Sequence, residues 1–109
     1  AYAQGDLQVQ GLIFLGFPLH APGKKESLRD GLLKKINIPV LFFQGTRDPF
    51  CDLDLLKPVL KSMAAPPPLE IIQGGDHSLN LPKSDPRPQA DIHGRVIKTC
   101  QEWLKDNLG

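Results

Sequence analysis

Ile38-Pro-Val-Leu-Phe-Phe-Gln-Gly-Thr-Arg-Asp-Pro-Phe50 is the stretch that decides the fold. Its apolar part is nearly continuous, short and rich in β-branched and aromatic residues. Such a run predicts a strand covered on both faces, as in a parallel sheet between helices. The chain then turns through Gly45-Thr-Arg-Asp48, which sets a carboxylate just past the strand. Two further runs accompany it. Gly11-Leu-Ile-Phe-Leu-Gly-Phe17 is again almost uninterrupted, whereas Leu69-Glu-Ile-Ile-Gln73 mixes in polar residues and reads as a strand near a sheet edge.

Helical patterns separate and follow these runs. Lys24 to Lys35 carries Leu28, Leu32 and Leu33 at helical spacing, with Ile36 following. A second helix is expected to reach Met63, with Leu56, Val59, Leu60 and Met63 on one face. Pro58 belongs in a first turn, which sets that start near Leu55 or Leu56. Ala90 to Leu108 has the strongest pattern, with Ile92, Val96, Cys100, Trp103 and Leu104 in one apolar stripe that Leu108 extends. The Pro82-Lys-Ser-Asp-Pro-Arg-Pro88 stretch reads as an extended, mobile loop. The expected fold is therefore α/β: a three-stranded parallel sheet in the order β-α-β-α-β-α, with helices on both faces and right-handed crossovers.

Composition narrows the function classes. The 109 residues suffice for one core, and 40% hydrophobic with 23% charged residues describes a globular chain. The 13 basic and 12 acidic residues leave a net charge of +1. Lys24, Lys25, Arg29, Lys34 and Lys35 cluster, but Glu26 and Asp30 dilute them, which argues for a solvated helix face and against nucleic acid or membrane as partner. Cys51 and Cys100 build no disulfide framework, which points to a reducing, cytoplasmic setting. Ala1 to Gln10 lacks the basic and apolar regions of a signal peptide.

In open parallel sheets, chemistry gathers in loops beyond the carboxyl ends of the strands. Three such loops follow the three runs: Phe17-Pro-Leu-His20, Gln44 to Phe50, and Gly74-Gly-Asp-His-Ser78. A parallel sheet brings His20, Asp48 and His77 to one edge. A catalytic imidazole needs an acceptor on Nδ1–H, and Asp48 is the candidate for His77. Other readings stand beside these. Asp48 also fits a turn before Pro49, and His77 a structural loop position. His20 suits a pocket lining or a solvent-facing turn equally, and Phe50 offers an apolar surface to a substrate. Asp52 and Asp54 read as helix caps, while Asp76 and Ser78 read as local hydrogen-bonding groups. Cys51 lacks the setting of a nucleophile, and Cys100 and Trp103 read as core. No spacing of His and Cys suggests a metal site.

Residues 38–50 and 69–78 together resemble the last two strands of an α/β-hydrolase, and residues 11–20 resemble the strand before them. The similarity is greatest to the small dienelactone-hydrolase-like branch. It implies a triad in the order Ser, Asp, His, with Asp48 as the orienting acid and His77 as the general base. It implies an ester-type small-molecule substrate and requires neither cofactor nor metal. The family's Gly-x-Ser-x-Gly nucleophile motif is absent, and Ser27, Ser62, Ser78 and Ser84 lie in other contexts. Residues 1–109 are thus expected to form the C-terminal part of a single hydrolase domain, inactive by itself. Its first strand would offer an apolar edge for pairing with a second copy. A catalytically silent binding or scaffold domain is the alternative. A flavodoxin-like reading lacks a Gly-rich phosphate loop after the first strand.

Overall fold

A computed structural model describes residues 10–108, apart from the side chain of Leu108. Expectations for residues 1–9 and for the contribution of Leu108 to the apolar stripe lie outside this description. The elements run β1 (Leu12–Leu15), α1 (Gly31–Lys34), β2 (Val40–Gly45), α2 (Leu53–Lys61), β3 (Leu69–Ile72) and α3 (Gln89–Leu108). The strands form one sheet in the order β1-β2-β3, and both pairings are parallel. Leu12 lies opposite Val40, and Phe42 opposite Leu69.

The central strand shows why its apolar run is continuous. Every residue of β2 is buried. Val40 and Phe42 join a core with Leu33, Leu56, Val59, Leu60 and Met63, against α1 and α2. Leu41 and Phe43 point the other way and pack with Ile72, Leu79, Ile92 and Trp103, against α3. Strand side chains alternate between faces, so a strand between two helical layers is apolar on both of them, as Val40 to Phe43 are. Burying a side chain such as that of Phe42 or Phe43 is worth about 1.5–3 kcal/mol. Phe14 stacks on Phe42 at 4.9 Å between ring centroids, and Phe17 meets Phe14 edge-on at 5.3 Å, extending the core to β1.

The helices depart from their expected bounds for local reasons. Instead of running from Lys24 to Lys35, α1 is a single turn. Turns at residues 22–27 include Gly23 at φ +76°, and the Arg29 amide donates to the Leu19 carbonyl at 2.6 Å. That donation ties the segment to the loop after β1. Leu28, Leu33 and Ile36 reach the core, whereas Leu32 is exposed.

Helix α2 begins earlier than expected because Asp52 caps it, accepting from the Asp54 amide at 2.9 Å. Pro58 consequently lies inside the helix. It shares the exposed face with Asp54, to whose carbonyl it has no N–H to donate. Solvent on that face reduces the cost of the missing bond. In α3, Ile92 and Trp103 are buried, with Val96 and Cys100 packed behind them. Leu104, expected in the stripe, is exposed, as is Ile97.

The proline-rich loop is fastened to the sheet. Arg87 donates to the Gln73 carbonyl at 2.6 Å and forks onto Asp85. Gln89 accepts from the Leu81 amide at 2.8 Å. No described helix is long and apolar enough to cross a membrane.

Candidate active site

The carboxyl ends of all three strands converge because two glycines permit it. A Cβ on Gly45 would lie 2.1 Å from the Gly75 carbonyl oxygen. A Cβ on Gly16, which has φ +83°, would lie 2.1 Å from the His77 carbonyl oxygen. Only a residue without a side chain allows backbones to approach this closely. Hydrogen bonds then join the loops after β2 and β3. The Arg47 amide donates to Gly75 at 2.8 Å, Thr46 to Ile72 at 3.1 Å, and Gly74 to the Thr46 hydroxyl at 2.7 Å.

Asp48 and His77 meet across this junction, as the loop pattern anticipated. His77 Nδ1 lies 2.8 Å from Asp48 Oδ2. The Asp48 side chain is fully buried, whereas 37% of the His77 side chain is exposed. Asp48 Oδ1 accepts the Phe50 amide at 2.7 Å, and Oδ2 also accepts Gln44 Nε2 at 2.6 Å. The amide groups can only donate here, so the carboxylate serves as acceptor to all three partners. An acceptor at Oδ2 places the His77 proton on Nδ1 and leaves the Nε2 lone pair free. Among the described residues, Nε2 has no hydrogen-bond partner.

The histidine loop is stiff. Asp76 Oδ1 accepts the amides of Ser78 and Asn80, both at 2.9 Å, and the Asp76 amide returns to the Asn80 carbonyl. Leu79 adopts φ +65°, an uncommon conformation for a branched side chain. Gln89 Nε2 braces its carbonyl at 3.1 Å. Asp76 thus has the local role its sequence position suggested.

The other two candidates have different surroundings. Phe50 packs against the His77 ring, with centroids 4.7 Å apart and planes at 39°. It limits where the imidazole can rotate. His20 is buried, its Nε2 accepting the Asp52 amide at 3.0 Å and its Nδ1 facing the Ala21 carbonyl at 2.9 Å. Both ring nitrogens are engaged by backbone, so His20 ties the loop after β1 to the start of α2. No polar atom of the ring remains for a substrate.

Cys51 lies in the core beside α2. Burial, and then the neighbouring Asp48 charge, push its thiol up to about 12, which keeps it protonated and non-nucleophilic at neutral pH. Gln44 was not among the sequence candidates. It is wholly buried and makes two hydrogen bonds, to Asp48 and from the Phe17 amide at 3.1 Å. The available signal was a lone amide at the end of a strand buried on both faces, where a polar group must find partners.

Two cavities flank the pair. One of about 310 Å³ is bordered by His20, Lys25, Thr46, Asp48 and Asp52. The other, of about 360 Å³, runs between Leu15, Leu79, Val96 and Ile97. Neither is lined by His77 or Phe50. Among the described residues, no group of three or more His, Cys, Asp and Glu side chains converges as metal ligands would.

A parallel sheet between helices, with an imidazole and a carboxylate joined at its carboxyl edge, defines a hydrolase-like α/β class. The family model for an alpha/beta hydrolase domain matches residues 1–105. The chain belongs to the α/β-hydrolase family. No solved structure matches it.

Proposed function

We propose that these residues supply the acid and base of a serine-hydrolase triad acting on an ester-type small molecule, in the manner of the dienelactone-hydrolase-like branch. The observation that carries this reading is the 2.8 Å contact between His77 Nδ1 and the buried Asp48 carboxylate, with Nε2 left free. In this reading a serine hydroxyl outside residues 10–108 attacks the substrate carbonyl. His77 Nε2 takes the hydroxyl proton and returns it to the leaving group. Asp48 keeps the imidazole in the Nδ1–H form and stabilises the imidazolium between those two transfers. Phe50 restrains the ring. Cys51 and Cys100, both free thiols, support a reducing cytoplasmic setting.

The topology leaves room for such a nucleophile. Parallel strands end at the same sheet edge, and Gly16 at the end of β1 already touches the His77 backbone. A further parallel strand beside β1 would deliver its terminal residue next to His77.

A fluorophosphonate probe on the full-length protein tests the proposal. Wild type is expected to label, and His77→Ala to lose labelling. Asp48→Asn is expected to slow it by about 10⁴-fold, since an amide there holds the wrong tautomer. A folded full-length protein that takes no label would instead support a catalytically silent binding domain, in which Asp48 and His77 serve structure alone.

A further inference from the structure

The geometry points to Gln44 as a positioning residue: its side-chain amide orients the Asp48 carboxylate toward His77 and couples that carboxylate to the loop after β1. The inference rests on the acid–base pairing proposed for Asp48 and His77, and goes beyond it by assigning a fourth member to the site.

The amide has one workable orientation. Gln44 Nε2 donates to Asp48 Oδ2 at 2.6 Å, while Oε1 accepts from the Phe17 amide at 3.1 Å. Rotating the amide by half a turn would set Oε1 against a carboxylate and Nε2 against an N–H group. Both contacts would then be unfavourable, and nothing else in a fully buried setting could compensate. Each end therefore selects the placement of the other.

The consequence reaches His77 through Asp48. Two donors, Gln44 Nε2 and His77 Nδ1, share Oδ2, while the Phe50 amide holds Oδ1. Without Gln44, one backbone amide and the histidine would be left to define the carboxylate plane. Second partners of this kind orient the groups that bear the chemistry. Gln44 also links all three strand-end loops, because Phe17 follows β1, Asp48 follows β2 and His77 follows β3.

The test is nitrogen-15 NMR of the whole chain, reading tautomer and side-chain protons directly. In the wild type, His77 is expected to show the Nδ1–H tautomer with a low-field Nδ1 proton. Gln44→Met fills similar space without hydrogen bonds and is expected to abolish that low-field signal and mix in the Nε2–H tautomer. Gln44→Glu keeps an acceptor for the Phe17 amide but puts an oxygen against Asp48, and is expected to lose the signal as well. The wild-type Gln44 side-chain NH₂ supplies a measurement that needs no variant: its protons are expected to be shifted downfield and slow to exchange. A Gln44 amide that exchanges freely in the folded wild type overturns the inference, as does a folded Gln44→Met protein with an unchanged His77 signal. A wild type lacking the Nδ1–H signature would instead overturn the Asp48–His77 pairing itself, which separates the two failures.

Discussion

Gly45 and Gly75 approach so closely that a methyl group on the first would lie 2.1 Å from the carbonyl oxygen of the second. This contact sets the distance between the loop bearing Asp48 and the loop bearing His77. The obstruction is backbone, which cannot swing aside as a flexible side chain can. Gly45→Ala is therefore expected to destabilise the fold by about 3 kcal/mol, the upper end of the usual overpacking cost. The His77–Asp48 contact should be lost with it. Gly94 provides the contrast, because among the described residues a Cβ there meets nothing within 4 Å and the residue lies within α3. Gly94→Ala should stabilise by about 0.5–1 kcal/mol, the helix preference for Ala over Gly. Urea denaturation of both variants checks the pair. Equal effects would show that neither position is governed by its surroundings.

Much of this organisation is written in the chain, and the exceptions have physical causes. β2 is legible because burial on both faces demands an apolar run, β3 because its mixed run suits the sheet edge it occupies, and α3 because its stripe recurs at helical spacing. Asp48 and His77 are legible because parallel topology assigns loop residues to one edge before any distance is known. The length of α1 is not, since the Arg29 amide is claimed by Leu19, ten residues earlier, and spacing alone cannot reveal that bond. His20 borders the cavity beside Asp48, but the engagement of its nitrogens by the backbone at Ala21 and Asp52 appears only in three dimensions. The partner of Phe50 is His77, from another loop, so its packing role appears only in three dimensions. Gln44 was readable as an anomaly, a buried amide, but its partners depend on how the loops close.

The thiols should differ in reactivity. Cys51 is buried, and desolvation together with Asp48 raises it to about 12. Cys100 is half-buried on α3, and burial raises its thiol as well. At pH 8, a disulfide-exchange reagent is expected to modify Cys100 slowly and leave Cys51 untouched until urea unfolds the chain. Counting thiols released with and without urea measures this directly. Rapid modification of Cys51 in the folded protein would contradict its place in the core.

Acid should weaken the fold in a defined window. Asp85 is held down to about 2 by the Arg87 side chain and amide, against an ordinary value of 3.8. Asp52 is also lowered, chiefly by its hydrogen bond with Lys25 and then by the Asp54 amide. The folded values lie below the unfolded ones, so the unfolded chain binds more protons in between. Stability from these groups is thus complete above about pH 4 and drains away as pH falls through the folded values. The urea midpoint is expected to drop between about pH 4 and pH 2, and to drop less steeply in Asp85→Asn. An identical fall in wild type and variant would remove Asp85 from the account. Both ion pairs are surface-exposed, so added salt should shrink the difference.

The outer edge of β1 should promote association. The Leu12 amide donates to Pro39, just before β2, and the Gly16 amide to Phe43 within it, so by strand alternation the amides of Ile13 and Leu15 point away from β2. Among the described residues, β1 pairs with β2 alone. Leu15 is 54% exposed and shares an apolar groove with Ile97, which is 57% exposed. An unpaired strand edge next to apolar surface is a template for another strand. Sedimentation of the 109-residue chain is expected to show dimers whose fraction rises with concentration. Leu15→Lys should shift that curve toward monomer at little cost in stability, since the side chain already reaches solvent. A wild type that stays monomeric, with slow exchange at the Ile13 and Leu15 amides, would mean that residues of the same chain cover the edge. Fast exchange in a monomer would mean that the edge stands open and charge elsewhere keeps copies apart.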